Sequence, residues 1–136
     1  MTVTQAPTAR GLAGLVEYLE TGRAPQGLFA DDVFGDLNFP LWRLQATSAS
    51  DLLAIRAELH PWPGQVRLER SDRTETGFVV ALEERWEAGG RQWYCREFFR
   101  VDVLDGRIVA LEVWCTGDWD PQVQRRHAEV VTLARR

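Results

Sequence analysis

Residues 98–120 read FFRVDVLDGRIVALEVWCTGDWD. Two β-rich runs meet there at Asp105-Gly106, a dipeptide suited to a type I′ hairpin because both central positions need φ > 0 and glycine supplies it freely. The second run leaves the sheet at a Gly/Asp/Pro break, and Asp120-Pro121 offers an N-cap and first-turn proline for a short closing helix. Upstream, Gly77 and Gly89-Gly90 are further turn signals. Four consecutive antiparallel strands follow from them, over 66–75, 77–87, 91–104 and 107–116.

Further toward the N-terminus the period changes. Leu12, Leu15, Val16 and Leu19 recur at helical spacing and stop at Gly22, a suitable C′ residue. Residues 25–30 are expected to form a short second helix, and 33–39 a strand ending at Pro40. Ser48 to Asp51 is a capping-box pattern ahead of Leu52, Ile55 and Leu59, predicting a third helix that ends near His60-Pro61. Residues 1–9 are small, polar and proline-containing, and are expected to be disordered. The order of helices first and a strand meander after indicates an α+β fold with helices on one face of a curved sheet.

The chain has 136 residues, 45% of them hydrophobic, enough for one domain with a core that needs no disulfide or metal. Sixteen basic against twenty acidic residues leave a net charge of −4. No basic run attracts a phosphate backbone, so nucleic acid is not an expected partner. All the basic residues are arginine, which excludes a Schiff-base or P-loop lysine. Cys95 and Cys115 sit in no metal-ligand spacing, His60 and His127 are far apart, and no metal is expected. The first ten residues, MTVTQAPTAR, lack the apolar core of a signal peptide, and no run approaches the ~20 apolar residues of a membrane span. A soluble cytoplasmic protein without membrane partners is expected.

The hairpin, preceded by LFADDVFGDLNFPLWR at 28–43, resembles the nuclear transport factor 2-like superfamily and its SnoaL-like branch over residues 10–127. The resemblance implies one domain over 10–136, built as a curved antiparallel sheet wrapped around helices into a cone-shaped barrel with one pocket. It also implies homodimers packed back to back through their sheets.

Two sheet faces follow from the turns. One carries Ala81, Glu83, Arg85, Tyr94, Arg96, Phe98, Arg100, Leu111, Val113 and Cys115; the other carries Leu82, Glu84, Trp86, Trp93, Cys95, Glu97, Phe99 and Trp114. Periodicity puts the second, more apolar face against the helices. The resemblance argues the opposite: the pocket positions of the similar ketosteroid isomerases and limonene epoxide hydrolases fall on Arg96, Phe98, Arg100, Leu111, Val113 and Cys115. That assignment is preferred, and it makes the face with Trp86, Trp93 and Trp114 the dimer surface. A one-residue register slip reverses it.

Asp36-x-Asn38-x-Pro40 resembles the Tyr-x-Asn-x-Pro segment that helps hold water in the epoxide hydrolases. Asp36 and Asn38 alternate onto one strand face, and Trp42 beside Arg43 can add an aromatic wall. As plain structure, Asp36 and Asn38 would satisfy backbone groups at a strand end. A second cluster joins Glu83, Tyr94, Arg96 and Arg100, with Glu83 as acid or base and Tyr94 facing a developing oxyanion; its structural counterpart is a cross-strand salt bridge. Neither related mechanism carries over whole. The epoxide hydrolases' last-strand carboxylate falls on Val113, and the isomerases' tyrosine and aspartate fall on Leu15 and Arg100, with Tyr18 one turn away. The motif Cys115-Thr116-Gly117-Asp118-Trp119-Asp120 reads as a turn and helix cap, and a strand thiol such as Cys115 is usually inert.

The expected function is cofactor-free acid/base chemistry on an apolar cyclic or polyketide-like metabolite by isomerisation, cyclisation, dehydration or hydrolysis. Asp36, Glu83 and Asn38 are the catalytic candidates; Trp42, Tyr94, Arg96, Phe98, Arg100, Leu111, Val113 and Cys115 would bind substrate. The alternative is a non-catalytic protein that binds a hydrophobic ligand, or a dimerisation module.

Overall fold

The computed structural model describes residues 5–135. Among them, helix α1 (Gln5–Thr21) is followed by strands β1 (Phe29–Asn38) and β2 (Arg43–Ala46), helix α2 (Ala49–Leu59), strands β3 (Gly64–Arg73), β4 (Gly77–Ala88), β5 (Arg91–Leu104) and β6 (Arg107–Cys115), and helix α3 (Pro121–Val130). The strands form one sheet in the order β2-β1-β6-β5-β4-β3. The sheet is mixed rather than wholly antiparallel, because β1 runs parallel to β6. It curves without closing into a barrel.

The turn chemistry acts as expected. Asp105 and Gly106 have φ of 53° and 78°, and Gly89 and Gly90 have 60° and 74°. Gly22 at φ 76° ends α1, its N–H donating to the Tyr18 carbonyl at 2.8 Å. Ser48 accepts from the Asp51 N–H at the start of α2, and Asp120 from the Val123 N–H at the start of α3. Three expectations need correction. Residues 5–9, expected to be disordered, lie in α1, while 1–4 fall outside the described residues. Residues 25–30 form a turn leading into β1, not a helix, because proline and glycine punctuate them too closely. Strand β2, four residues long, was not anticipated.

Register settles which face is inside. Glu83 pairs with Arg96 and Arg85 with Tyr94, as the Gly89-Gly90 turn requires. Between β5 and β6, Val103 pairs with Ile108, but Asp102 then pairs with Ala110, leaving Val109 as an extra residue. This β-bulge shifts every later position of β6 by one and turns Leu111, Val113 and Cys115 to the same side as Ile108. The inner face therefore carries Phe78, Val80, Leu82, Glu84 and Trp86 from β4, Cys95, Glu97, Phe99 and Val101 from β5, and Ile108, Leu111 and Val113 from β6, all buried. Periodicity was right for β4 and β5, and the resemblance was right for β6.

Against this face α1 packs Leu15, Tyr18 and Leu19 and α2 packs Leu52. Trp86 is enclosed by His60, ring centres 4.4 Å apart, and stacks on Trp93. Trp114 lies on the opposite face, 48% exposed. The three tryptophans thus share no exposed surface, and the expected dimer face is not there.

Candidate functional site

The sheet's concave face and the two long helices leave a cavity of about 430 Å³ between them. Its walls are mostly apolar: Leu15 and Leu19 from α1, Ile55 and Leu59 from α2, and Phe99, Leu111 and Val113 from the sheet. The segment Phe39 to Trp42 forms the rim, with Trp42 and Leu41 largely exposed.

Into this apolar space the fold brings a charged group that the helix and strand patterns had treated as scaffold. Arg56 of α2 donates through Nη2 to Glu84 Oε1 at 2.7 Å and through Nη1 to Glu84 Oε2 at 3.3 Å. The same Nη2 reaches the Leu19 carbonyl at 3.0 Å, tying α2 to α1. Glu84 of β4 is in turn hydrogen-bonded to Glu97 of β5. Burial alone would push both carboxyls up. Glu84 nevertheless lies below the usual range, because the Glu97 hydrogen bond and the Arg56 guanidinium stabilise its anion. Glu97 lies well above it: burial dominates, and the Glu84 charge and hydrogen bond add to it. The pair is a carboxylate and a carboxylic acid sharing one proton.

Two neutral groups stand beside them. The Tyr18 hydroxyl is pushed up to about 12 by burial, with smaller opposing effects of Arg56 and Glu84. His60 is pushed down to about 4, by burial first and Arg56 second, and stays uncharged at neutral pH. Asp118 stands at the rim; its residue surface is exposed, but the surrounding walls still desolvate its carboxylate and move it up. Among the described residues, the buried side-chain nitrogen and oxygen atoms without a hydrogen-bond partner are Tyr18 Oη, Arg56 Nε, His60 Nε2 and Glu97 Oε1. All four belong to residues lining this cavity. Cys95 Sγ, Cys115 Sγ and a Glu97 carboxylate oxygen lie within 4.8 Å of one another, donor types that a thiophilic ion can take.

The sequence-derived candidates divide. Trp42, Leu111, Val113 and Cys115 line the cavity. Asp36 does not: it lies on the other face of β1 from Leu37 and is clasped by Arg43, Nε to Oδ1 at 3.0 Å and Nη2 to Oδ2 at 2.9 Å. The Arg43 hydrogen bond holds the Asp36 carboxyl below its ordinary range, the reverse of what a base near neutral pH needs. Asn38 donates to the Val113 carbonyl at 3.2 Å, holding the parallel strands together. Glu83, Tyr94, Arg96, Phe98 and Arg100 alternate onto the outer face. There Glu83 accepts from Arg67 at 3.0 Å and Tyr94 at 3.1 Å, and Arg96 binds Glu69 through two hydrogen bonds. The expected meeting of Asp36 and Glu83 in one cavity does not occur: Asp36, although buried, is clasped by Arg43 on the other face of β1 from Leu37, and Glu83 alternates outward between the inner residues Leu82 and Glu84.

Glu84, Glu97, Arg56 and His60 were not singled out. The signal was present: Leu82-x-Glu84-x-Trp86 and Cys95-x-Glu97-x-Phe99 place a carboxylate inside an apolar alternation, and buried carboxylates demand a partner.

No protein-family model matches the chain, and no curated protein matches it. Solved structures do. A nuclear transport factor 2-like protein from Anabaena variabilis is 18% identical, covers 87% of this chain and 96% of its own, and superposes with a TM-score of 0.67. An LEH-like epoxide hydrolase from M. tuberculosis is 11% identical, with coverage of 81% and 83% and a TM-score of 0.63. IdmH, a putative polyketide cyclase from Streptomyces antibioticus, is 17% identical, with coverage of 79% and 91% and a TM-score of 0.59. At such identities the likeness is one of architecture. Helices α1 and α2 packed on the concave side of a curved, open six-stranded sheet, with the short α3 after its last-numbered strand, give this chain the nuclear transport factor 2-like α+β fold.

Proposed function

We propose that the cavity binds an apolar small molecule and that Glu97, backed by Glu84 and Arg56, moves a proton on it without a cofactor. The supporting observation is the convergence of the unpartnered buried polar atoms on one apolar cavity. Such atoms cost about 1–3 kcal/mol each when left unsatisfied, so a fold that gathers their residues around one space favours a ligand that bonds them.

Glu97 Oε1 is among the buried atoms without a partner, and the Glu97 carboxyl is paired with Glu84. A proton taken from the ligand at Oε1 is therefore matched by the carboxyl proton passing to Glu84, whose charge Arg56 already balances. In reverse, the acid returns a proton. Tyr18, neutral and a donor, is placed to hold an oxygen on which negative charge grows. Isomerisation, cyclisation, dehydration and hydrolysis all use such a relay. The epoxide hydrolase-like and cyclase-like neighbours favour a neutral, oxygen-bearing substrate.

The test is a panel of neutral apolar epoxides and linear polyketones, incubated with the full chain and followed by mass spectrometry. At least one should be converted, and Glu97→Gln should lower turnover on the order of a hundredfold with KM changed only a few-fold. Saturable binding without conversion across the panel would replace the enzyme by a carrier of the same ligand class.

A further inference from the structure

The turn that follows β6 builds a site the proton relay does not use. Cys115 faces the cavity, and its Sγ accepts the Gly117 N–H at 3.3 Å. That donor is held in place. Gly117 has φ of 88°, and a Cβ there would lie 2.9 Å from Pro40 Cγ. Thr116 is pinned to β5 from both sides, its N–H donating to the Arg96 carbonyl and its Oγ1 accepting the Arg96 N–H, each at 3.0 Å. The Cys95 sulfur and a Glu97 carboxyl oxygen lie within 4.8 Å of the Cys115 sulfur and of each other.

We infer that Cys115 is a nucleophilic thiol that captures neutral apolar electrophiles entering the cavity, the class being α,β-unsaturated carbonyl compounds. The inference rests on the cavity admitting apolar molecules and on Glu97 holding a proton. The Gly117 N–H aimed at the sulfur stabilises its thiolate, as fixed N–H dipoles do at other reactive cysteines. The adjacent Cys95 thiol first, and Gly117 with it, hold Cys115 below the usual thiol range, against burial and the opposing charges of Asp118 and Glu84. Cys95, 2% exposed, moves the other way.

In the step, the Cys115 S–H bond breaks and an S–C bond forms at the β-carbon. The C=C pair becomes a double bond between the α-carbon and the carbonyl carbon, and the C=O pair moves onto the oxygen. The Glu97 proton passes to that oxygen, giving an enol, and the thiol proton restores the carboxyl pair, so one S–H adds across the ligand and nothing is oxidised or reduced. The acidic side chains around the sulfur oppose anionic reagents.

The experiment uses the full chain at pH 7 with a chelator present. Labelling by N-phenylmaleimide, a neutral apolar acceptor, is compared with labelling by iodoacetate, each scaled to its rate with glutathione and mapped by mass spectrometry. N-phenylmaleimide should label Cys115 before Cys95, with a scaled preference over iodoacetate of tenfold or more. Cys95→Ala should leave the site of labelling unchanged and slow it several-fold, while unfolding as cooperatively as the wild type. Labelling of Cys95 first, or a scaled preference near one, would overturn the inference. Uptake of neutral N-phenyl-1-naphthylamine, read by fluorescence, separates the two failures. If the dye binds and Cys115 stays unlabelled, the thiol site fails alone; if the dye does not bind, the cavity reading fails with it.

Discussion

Glu97 is a carboxyl that the fold keeps neutral, and the direction of its shift fixes how stability must respond to pH. Its folded pKa lies above the ordinary 4.5, so the folded chain holds a proton that the unfolded chain releases. That contribution is complete below about pH 4.5 and is lost as pH rises through the folded value. Glu97→Gln keeps the shape and cannot ionise. In urea denaturation the variant should gain stability relative to the wild type at pH 7.5 and gain little at pH 4. His60 runs the opposite way. Its folded value, about 4 against an ordinary 6.5, gives stability that is present above pH 6.5 and lost as pH falls toward 4. His60→Phe should flatten the urea midpoint across that window; an unchanged slope would show that His60 does not stay neutral on folding. Asp36, paired with Arg43 on the far side of β1, should be replaceable by Asn with turnover unchanged. A hundredfold loss in that variant would return it to the mechanism.

At the scale of elements, the hairpins were legible because their instructions are local: two residues with positive φ, a capping serine, a proline in the first turn. The Val109 bulge was not. It sits among β-branched and small apolar residues without a glycine, and it is fixed by the need to turn Leu111 and Val113 inward beside β1, a contact distant in sequence. The site was hidden for the same reason, since Glu84, Glu97 and Arg56 come from three elements that meet only in the fold. Deleting Val109 would remove the extra residue and leave Ile108, Leu111 and Val113 inward by plain alternation, whereas inserting an alanine between Ala110 and Leu111 would send Leu111, Val113 and Cys115 outward. In urea denaturation the deletion should unfold cooperatively and the insertion should not. An insertion variant that unfolds like the wild type would mean that the register of β6 does not set the inner face.

Over the whole molecule, one sheet face is covered by α1 and α2, while the other meets the α3 segment at Tyr94. Away from α3, this second face carries Phe98 and Trp114, cross-strand partners 44% and 48% exposed, with the oppositely charged partners Arg100 and Glu112 beside them. An apolar centre flanked by both signs of charge is self-complementary under a two-fold axis, so the occupant proposed for it is a second copy of the chain. Sedimentation at low micromolar concentration should show a dimer, and Trp114→Arg a monomer; a monomeric wild type would refute this association. Among the described residues no helix is long and apolar enough to cross a membrane.

The proton relay, the capture of electrophiles and the pH response all depend on Glu97 being a neutral acid in an apolar cavity. Its side-chain carboxyl carbon, followed by ¹³C NMR through a pH titration and assigned with Glu97→Gln, tests this directly. The signal should remain that of a protonated carboxyl at pH 7 and shift when N-phenyl-1-naphthylamine enters the cavity. Titration near the ordinary 4.5, with no response to the dye, would contradict it.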